Sequence, residues 1–527
     1  MKALPYPIPK QVRSRLSLWL MQDCLLAPDQ GDFLLHIVFA ASECVPFAKT
    51  GGLADSVGAL PPELVKLGHE VTVYLPLYAT VRPHIKGELK YAIRSITIPF
   101  DHYNRFAGIV DGGKRNGVRY YFVDCPELFD RQGLYGTRAG DYPDNWERFG
   151  LFCRAVLEAT KQLGVPQVFH VHDWQAALIP VYLRTVYKTD PVLSGAGAVL
   201  TIHNAGYQGW FPPETTERLL FPWEIFTMDK VEQFDTFNFL KGGLVYSDIL
   251  TTVSRKYAQE IQTAEFGEKL EGVLRQRAAD PSASSGQALR GILNGVDYAQ
   301  WNPATDKNLA AHYTPDDLSG KQACHADLLH AFGLDKVGDE TPVIGIVSRF
   351  VAQKGFDLVA KIADKLTQRE VAVVALGTGE PIYERFFRAW AFRNPGQVAV
   401  EIRYDEALAH KIEAGADMFL MPSLYEPCGL NQIYSLKYGT VPVVRATVGL
   451  DDTVEEWNPA QGTGTGFKFE GLRAEALLAA IDRALTAFDD KKGWTKLMLN
   501  GMARNYGWAG PAKEYAAIYE EVARRRA

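Results

Sequence analysis

The chain has 527 residues, 47% of them hydrophobic and 22% charged, with a formal net charge of -6. That length exceeds one ordinary domain and implies two or more, with ample apolar material for their cores. The acidic balance argues against a nucleic-acid binder, which needs a basic face, and no apolar run approaches the roughly 20 residues that cross a bilayer.

Residues 1–33 carry Lys2, Lys10, Arg13 and Arg15 ahead of a short apolar run that Gln22 and Asp23 interrupt. The run is too short for a signal peptide and lacks a small-residue cleavage site, so it reads as a disordered or peripheral extension. Residues 34–41 read as a buried first strand, leading through a loop into a helix that runs to about residue 67. Gly68 stops that helix, and a strand follows over 71–75. In the loop, Gly51 and Gly52 permit close approach of a ligand, and Lys49 adds a point charge suited to phosphate. Residues 119–124 form another strand. Asp144 suits a helix N-cap. His170 and His172 alternate along the strand over 168–172 and face the same way, but no third ligand follows at metal-binding spacing. Strands over 198–203 and 249–254 complete a first doubly wound unit. Residues 280–287, Asp-Pro-Ser-Ala-Ser-Ser-Gly-Gln, form a low-complexity surface loop.

A strand over 342–350 opens a second alternating unit. Arg349 and Lys354 lie at its end and suit a diphosphate clamp, the guanidinium binding bidentately and the ammonium as a compact charge. Further strands are expected over 371–379, 418–421 and 441–444. Pro422 and Ser423 end the third of these four strands, and a helix begins near Gly429. Unpaired N–H groups and a positive dipole end therefore gather at the carboxyl edge of a sheet, a seat for phosphate. Glu426 stands at the mouth of that seat; the residues alone leave a capping role and a functional one equally open. The last helix, 508–526, spaces Tyr515, Ile518, Tyr519 and Val522 along one face. Six cysteines, Cys24, Cys44, Cys125, Cys153, Cys324 and Cys428, lack paired spacing, which suits a reduced cytoplasm better than disulfides or a zinc site.

Several of these stretches together resemble the bacterial glycogen synthase and plant starch synthase family. They are Lys49-Thr50-Gly51-Gly52-Leu53-Ala54-Asp55, His170-Val171-His172-Asp173-Trp174, Ser348-Arg349 with Gln353-Lys354-Gly355, and Pro422-Ser423 through Glu426-Pro427-Cys428-Gly429-Leu430 to Gln432. The resemblance covers the chain from about residue 34 to its end. It implies an α/β GT-B fold, two Rossmann-like domains facing a central cleft. The first would span 34–289 and take the acceptor, the second would span 290–507 and bind the nucleotide sugar, and the helix 508–527 would cross back to the first. It further implies that Lys49, Asp55, Asn294, Arg349, Lys354 and the base-stacking Tyr404 serve the nucleotide sugar. The turn at Gly51 and Gly52 and the loop residues Cys428, Gly429, Leu430 and Asn431 would join them. His172 and Asp144 would orient the transferred sugar, and Tyr207 would meet the glucan.

The implied reaction moves glucose from a nucleoside diphosphate, ADP-glucose by the family's habit, to the non-reducing end of an α-1,4-glucan with retention. Arg349, Lys354, Lys49 and the N–H groups of Gly429 and Leu430 would stabilise the departing diphosphate, and Glu426 the cationic sugar. With cations supplied by side chains, neither a metal nor a cofactor is expected, and there is no Asp-x-Asp motif at a strand end. The alternatives are a GT-B transferase using a small acceptor and a glucan-binding regulatory protein with impaired catalysis. The chain departs from the family pattern at Thr447-Val448-Gly449-Leu450, where Val448 replaces a glycine. If that position needs positive φ, valine costs on the order of 1–3 kcal/mol and would narrow the donor site. A second departure, the lack of an acidic residue shortly before Trp508, would touch only the packing of the crossover.

Overall fold

Short Val-, Ile- and Phe-rich runs bounded by Gly, Pro and Asp make strands that are buried on both faces, the signature of parallel sheets covered by helices. In the computed structural model, which describes residues 34–527 apart from 86, 138–139, 281–287 and 339, these runs build two such sheets. The expectations for 1–33 and for nearly all of the loop 280–287 lie outside the described residues.

The first sheet contains β1 (His36–Ala40), β2 (Glu70–Pro76), β3 (Tyr91–Pro99), β4 (Asn104–Arg115), β5 (Val118–Asp124), β6 (Val168–His172), β7 (Gly197–Ile202), β8 (Ile249–Thr252) and β9 (Leu289–Gly291). Their order is β9-β8-β7-β6-β1-β2-β5-β4-β3. Only the β3–β4–β5 edge is antiparallel. The second sheet contains β10 (Val343–Val347), β11 (Ala372–Leu376), β12 (Val398–Glu401), β13 (Met418–Met421), β14 (Val441–Arg445) and β15 (Phe467–Phe469), in the order β12-β11-β10-β13-β14-β15. All its pairings are parallel. This is the doubly wound 3-2-1-4-5-6 arrangement, whose ligand crevice opens where the strand order reverses. Strand β9 pairs with β8, so the first sheet extends slightly past the expected boundary at 289/290.

The last helix, Ala509–Arg526, lies on the first sheet. Tyr515, Ile518, Tyr519 and Val522, the face the spacing singled out, are buried in the same apolar cluster as β1, β6 and β7. Burying each such side chain contributes about 1.5–3 kcal/mol. Polar contacts fix the register: the Tyr519 hydroxyl bonds His170 Nδ1 at 2.8 Å, and Arg290 pairs with Glu521 at 2.6 Å. The second sheet has its own clusters, one on each side.

Candidate active site

Each sheet reverses its strand order once near its centre, between β1 and β6 in the first and between β10 and β13 in the second. The loops leaving these four strands, with others beside them, line one cavity of about 520 Å³. From the first half come Lys49, Gly51, Gly52 and Asp55, which follow β1. From the second come Arg349 and Lys354 after β10, and Glu426, Cys428, Gly429, Leu430 and Asn431 after β13. Asn294, Tyr404 and Tyr207 complete the wall. Residues that are far apart in the chain meet here because reversal points gather strand ends.

On the second wall, the Lys354 ammonium lies 2.5 Å from Glu426 Oε2, with both side chains mostly buried. Ser423 Oγ donates to the same oxygen at 3.2 Å. The sharp turn after Lys354 depends on Gly355, at φ 73°; a Cβ there would stand 2.0 Å from the Pro422 carbonyl oxygen. The backbone of the Lys354 loop thus rests directly on the strand end that carries Glu426. Gly429, at φ 71°, turns the chain into the helix Asn431–Lys437, which begins two residues later than expected. No described backbone carbonyl accepts from the Gly429 and Leu430 amides. Tyr404 is 71% exposed at the cavity rim, available for stacking.

On the first wall, Lys49 pairs with Asp55 at 2.7 Å. Burial opposes the charge on Lys49, but the Asp55 carboxylate outweighs it and holds the ammonium above its usual pKa. The loop is shaped by Glu43, which lies outside the motif that begins at Lys49. Its carboxylate accepts the Thr50 and Gly51 amides at 2.5 and 3.2 Å and the Tyr135 hydroxyl at 2.6 Å. Those two amides are therefore engaged inside the protein and are not free for a ligand. Asp173 also lines the cavity, at φ 52°, accepting the His203 amide at 2.7 Å. Burial pushes its carboxyl up to about 7. Nothing in its spacing on a strand-to-helix junction distinguished it from its neighbours.

Two expected site residues are not brought to the cavity wall. Asp144 begins the helix Asn145–Leu163 without capping it; its carboxylate is held bidentately by Arg131 at 2.8 and 2.6 Å. Asp141 lines the cavity instead. His172 is buried next to His203, its Nδ1 3.0 Å from His203 Nε2. Of the two rings it is His203, from the loop after β7, that lines the cavity.

Burial holds His170 and His172 well below their ordinary pKa and pulls His203 down to about 3. Their folded pKa values are depressed, so the stability they contribute is present above pH 6.5 and lost as pH falls below it. If all three protonate only in the unfolded chain, stability should fall by about 4 kcal/mol per pH unit below 6 from this source. Urea unfolding at pH 7, 6 and 5 measures that slope; a shallower one would mean that one or two of these rings take up a proton in the fold, and a flat one that all three do.

Val448 does occupy the left-handed region, at φ 43°, and is fully buried. Its side chain does not line the cavity, contrary to the expectation that it would narrow the donor site; it packs into the cluster of the first sheet beside Cys428. Strain of about 1–3 kcal/mol there is of the same size as the gain from burying a valine.

A crevice formed by the carboxyl edges of two Rossmann-like sheets, lined by cations and carboxylates, is the GT-B arrangement, and the chain is a glycosyltransferase of that class. Residues 36–276 match the family described as starch synthase catalytic domain, and residues 335–496 match glycosyl transferases group 1. The glycogen synthase of Koribacter versatilis is 56% identical over 493 residues, which is 94% of this chain and 99% of that protein. Glycogen synthase 1 of Geobacter sulfurreducens is 43% identical over 496 residues, 93% and 97% of the two chains. The catalytic domain of starch synthase IV from Arabidopsis thaliana, bound to ADP and acarbose, matches with a TM-score of 0.85 at 31% identity, over 93% of this chain and 100% of that one. Sucrose-phosphate synthase from Thermosynechococcus elongatus, at 16% identity and a TM-score of 0.57 over 92% and 98%, shares the fold alone. The chain belongs to the glycogen and starch synthase family.

Proposed function

We propose that this glycosyltransferase takes glucose from ADP-glucose and adds it, with retention, to the 4-hydroxyl at the non-reducing end of an α-1,4-glucan. The observation that carries the reading is the convergence of Lys49, Arg349, Lys354 and Glu426 on one cavity. The three cations and the amides of Gly429 and Leu430 stabilise the diphosphate as it leaves; being fixed before reaction, they need no reorganisation at the transition state. Glu426 faces the sugar side and steadies the oxocarbenium-like carbon. Asp55, Asn294 and Tyr404 hold the nucleoside, and Tyr207, half exposed on the wall, meets the glucan. Residues 34–289 with 508–527 act as the acceptor-side domain and 290–507 as the donor domain, closing over the substrate to exclude water. A relative solved with ADP and acarbose supports an adenine nucleotide and a glucan. The unpaired state of all five cysteines among the described residues fits a cytoplasmic location. A regulatory protein with impaired catalysis loses its motive, since the Val448 side chain does not line the cavity.

With glycogen as acceptor, initial rates should favour ADP-glucose over UDP-glucose by about tenfold or more, a preference of roughly 1.4 kcal/mol. Digestion of the labelled product by an α-1,4-specific hydrolase reports retention. Equal rates with the two donors would overturn the donor assignment, and transfer to free glucose but not glycogen would overturn the acceptor.

A further inference from the structure

Tyr425 precedes Glu426 and reaches across the cleft. Its main chain belongs to the donor side: its carbonyl accepts from Gln353 Nε2 at 2.9 Å, and the neighbouring Leu424 amide donates to the Gln353 carbonyl at 2.8 Å. Glu426 and Lys354 are thereby tied through their loops as well as their charges. The phenol, by contrast, is bound entirely by residues of the first half. Tyr425 donates to Asn204 Oδ1 at 2.9 Å and lies 2.6 Å from the Tyr257 hydroxyl.

The protons in this group can be assigned. The Gly206 amide also donates to Asn204 Oδ1, at 2.9 Å, which fixes the orientation of that side-chain amide because only its oxygen accepts. Tyr425 therefore uses its single proton on Asn204, and the proton between the two phenols comes from Tyr257. Tyr257 in turn accepts the Ala205 amide at 2.9 Å. The result is a closed circuit, Ala205 to Tyr257 to Tyr425 to Asn204, in which each hydroxyl donates once and accepts once. It begins and ends on the loop after β7, which places His203 and Tyr207 on the cavity wall. Polar circuits of this kind hold their members in one arrangement because breaking any link leaves a buried group unpaired.

We propose that Tyr425 is a positioning residue that couples the acceptor-side loop 203–207 to Glu426, so that the carboxylate is set in place only when the two halves are engaged. The proposal rests on the reading of Glu426 given above. Donor binding lies outside the circuit, since the diphosphate cations do not touch it. The coupling therefore acts on turnover and on the glucan, not on nucleotide affinity.

The test compares Tyr425→Phe, Tyr257→Phe and the double variant, with Glu426→Ala in parallel, in the full chain. Tyr425→Phe keeps the ring contacts with Phe266 and Tyr257 and removes only the hydroxyl. Each single change should lower kcat about tenfold, the double no further than either, with the Kd for ADP by calorimetry unchanged within about twofold. A packing role alone would instead lower Tm and leave kcat of the folded fraction untouched. Parent-level kcat in Tyr425→Phe, or effects that multiply in the double variant, would overturn the coupling while an inactive Glu426→Ala upheld the site. An active Glu426→Ala would overturn both. If Tyr425→Phe fails to fold, Asn204→Ala removes the same acceptor and must show the same split between kcat and Kd.

Discussion

Glu426→Ala should lower kcat by about 10³-fold while leaving ADP affinity within about threefold, because the carboxylate acts on charge that develops only in the transition state. The geometry sharpens the expectation. Glu426 is nearly buried and accepts from both Lys354 and Ser423, so with the two halves engaged it is already in position when the bond to the diphosphate breaks. A group held this way stabilises positive charge on the sugar without moving. Glu426→Gln keeps the shape and the Ser423 bond but loses the charge, and it should be nearly as slow. Single-turnover rates with saturating donor separate this from slow product release. Turnover of the alanine variant within a factor of about three of the parent would remove Glu426 from the mechanism.

Lys354→Ala should weaken ADP binding by roughly 10- to 150-fold, the worth of a hydrogen bond to a charged group at about 1.5–3 kcal/mol. It should also lower kcat, since Lys354 is the cation paired with Glu426 and its loss leaves that carboxylate without a countercharge. Lys354→Arg should rescue poorly. The loop is pinned by the contact between Gly355 and the Pro422 carbonyl, and a longer planar head cannot withdraw to make room. Calorimetry with ADP checks both variants, and an unchanged Kd for Lys354→Ala would defeat the clamp.

Much of this site could be read in the sequence because its parts are local. Lys354-Gly355 after a strand, and Gly429 ahead of a helix, announce sharp turns at strand ends, where the backbone leaves donors unpaired. The buried runs at 343–347, 418–421 and 441–445 announce a parallel sheet, and the face of the last helix announces a surface to cover. Other features involve partners distant in the chain. Glu43 binds the Thr50 and Gly51 amides, Arg131 pairs with Asp144, and His203 bonds His172. Val448 turned out to serve the contact between the halves and not the cavity.

The sequence by itself determined which segments are strands, where their ends turn, and which charges stand at those ends, because hydrophobic period and turn chemistry act over a few residues. Only the tertiary structure decided which of those charges share a cavity and which are neutralised beforehand. That depends on strand order, which brings the ends of β10 and β13 side by side although 70 residues separate them, and on pairings that no local pattern encodes.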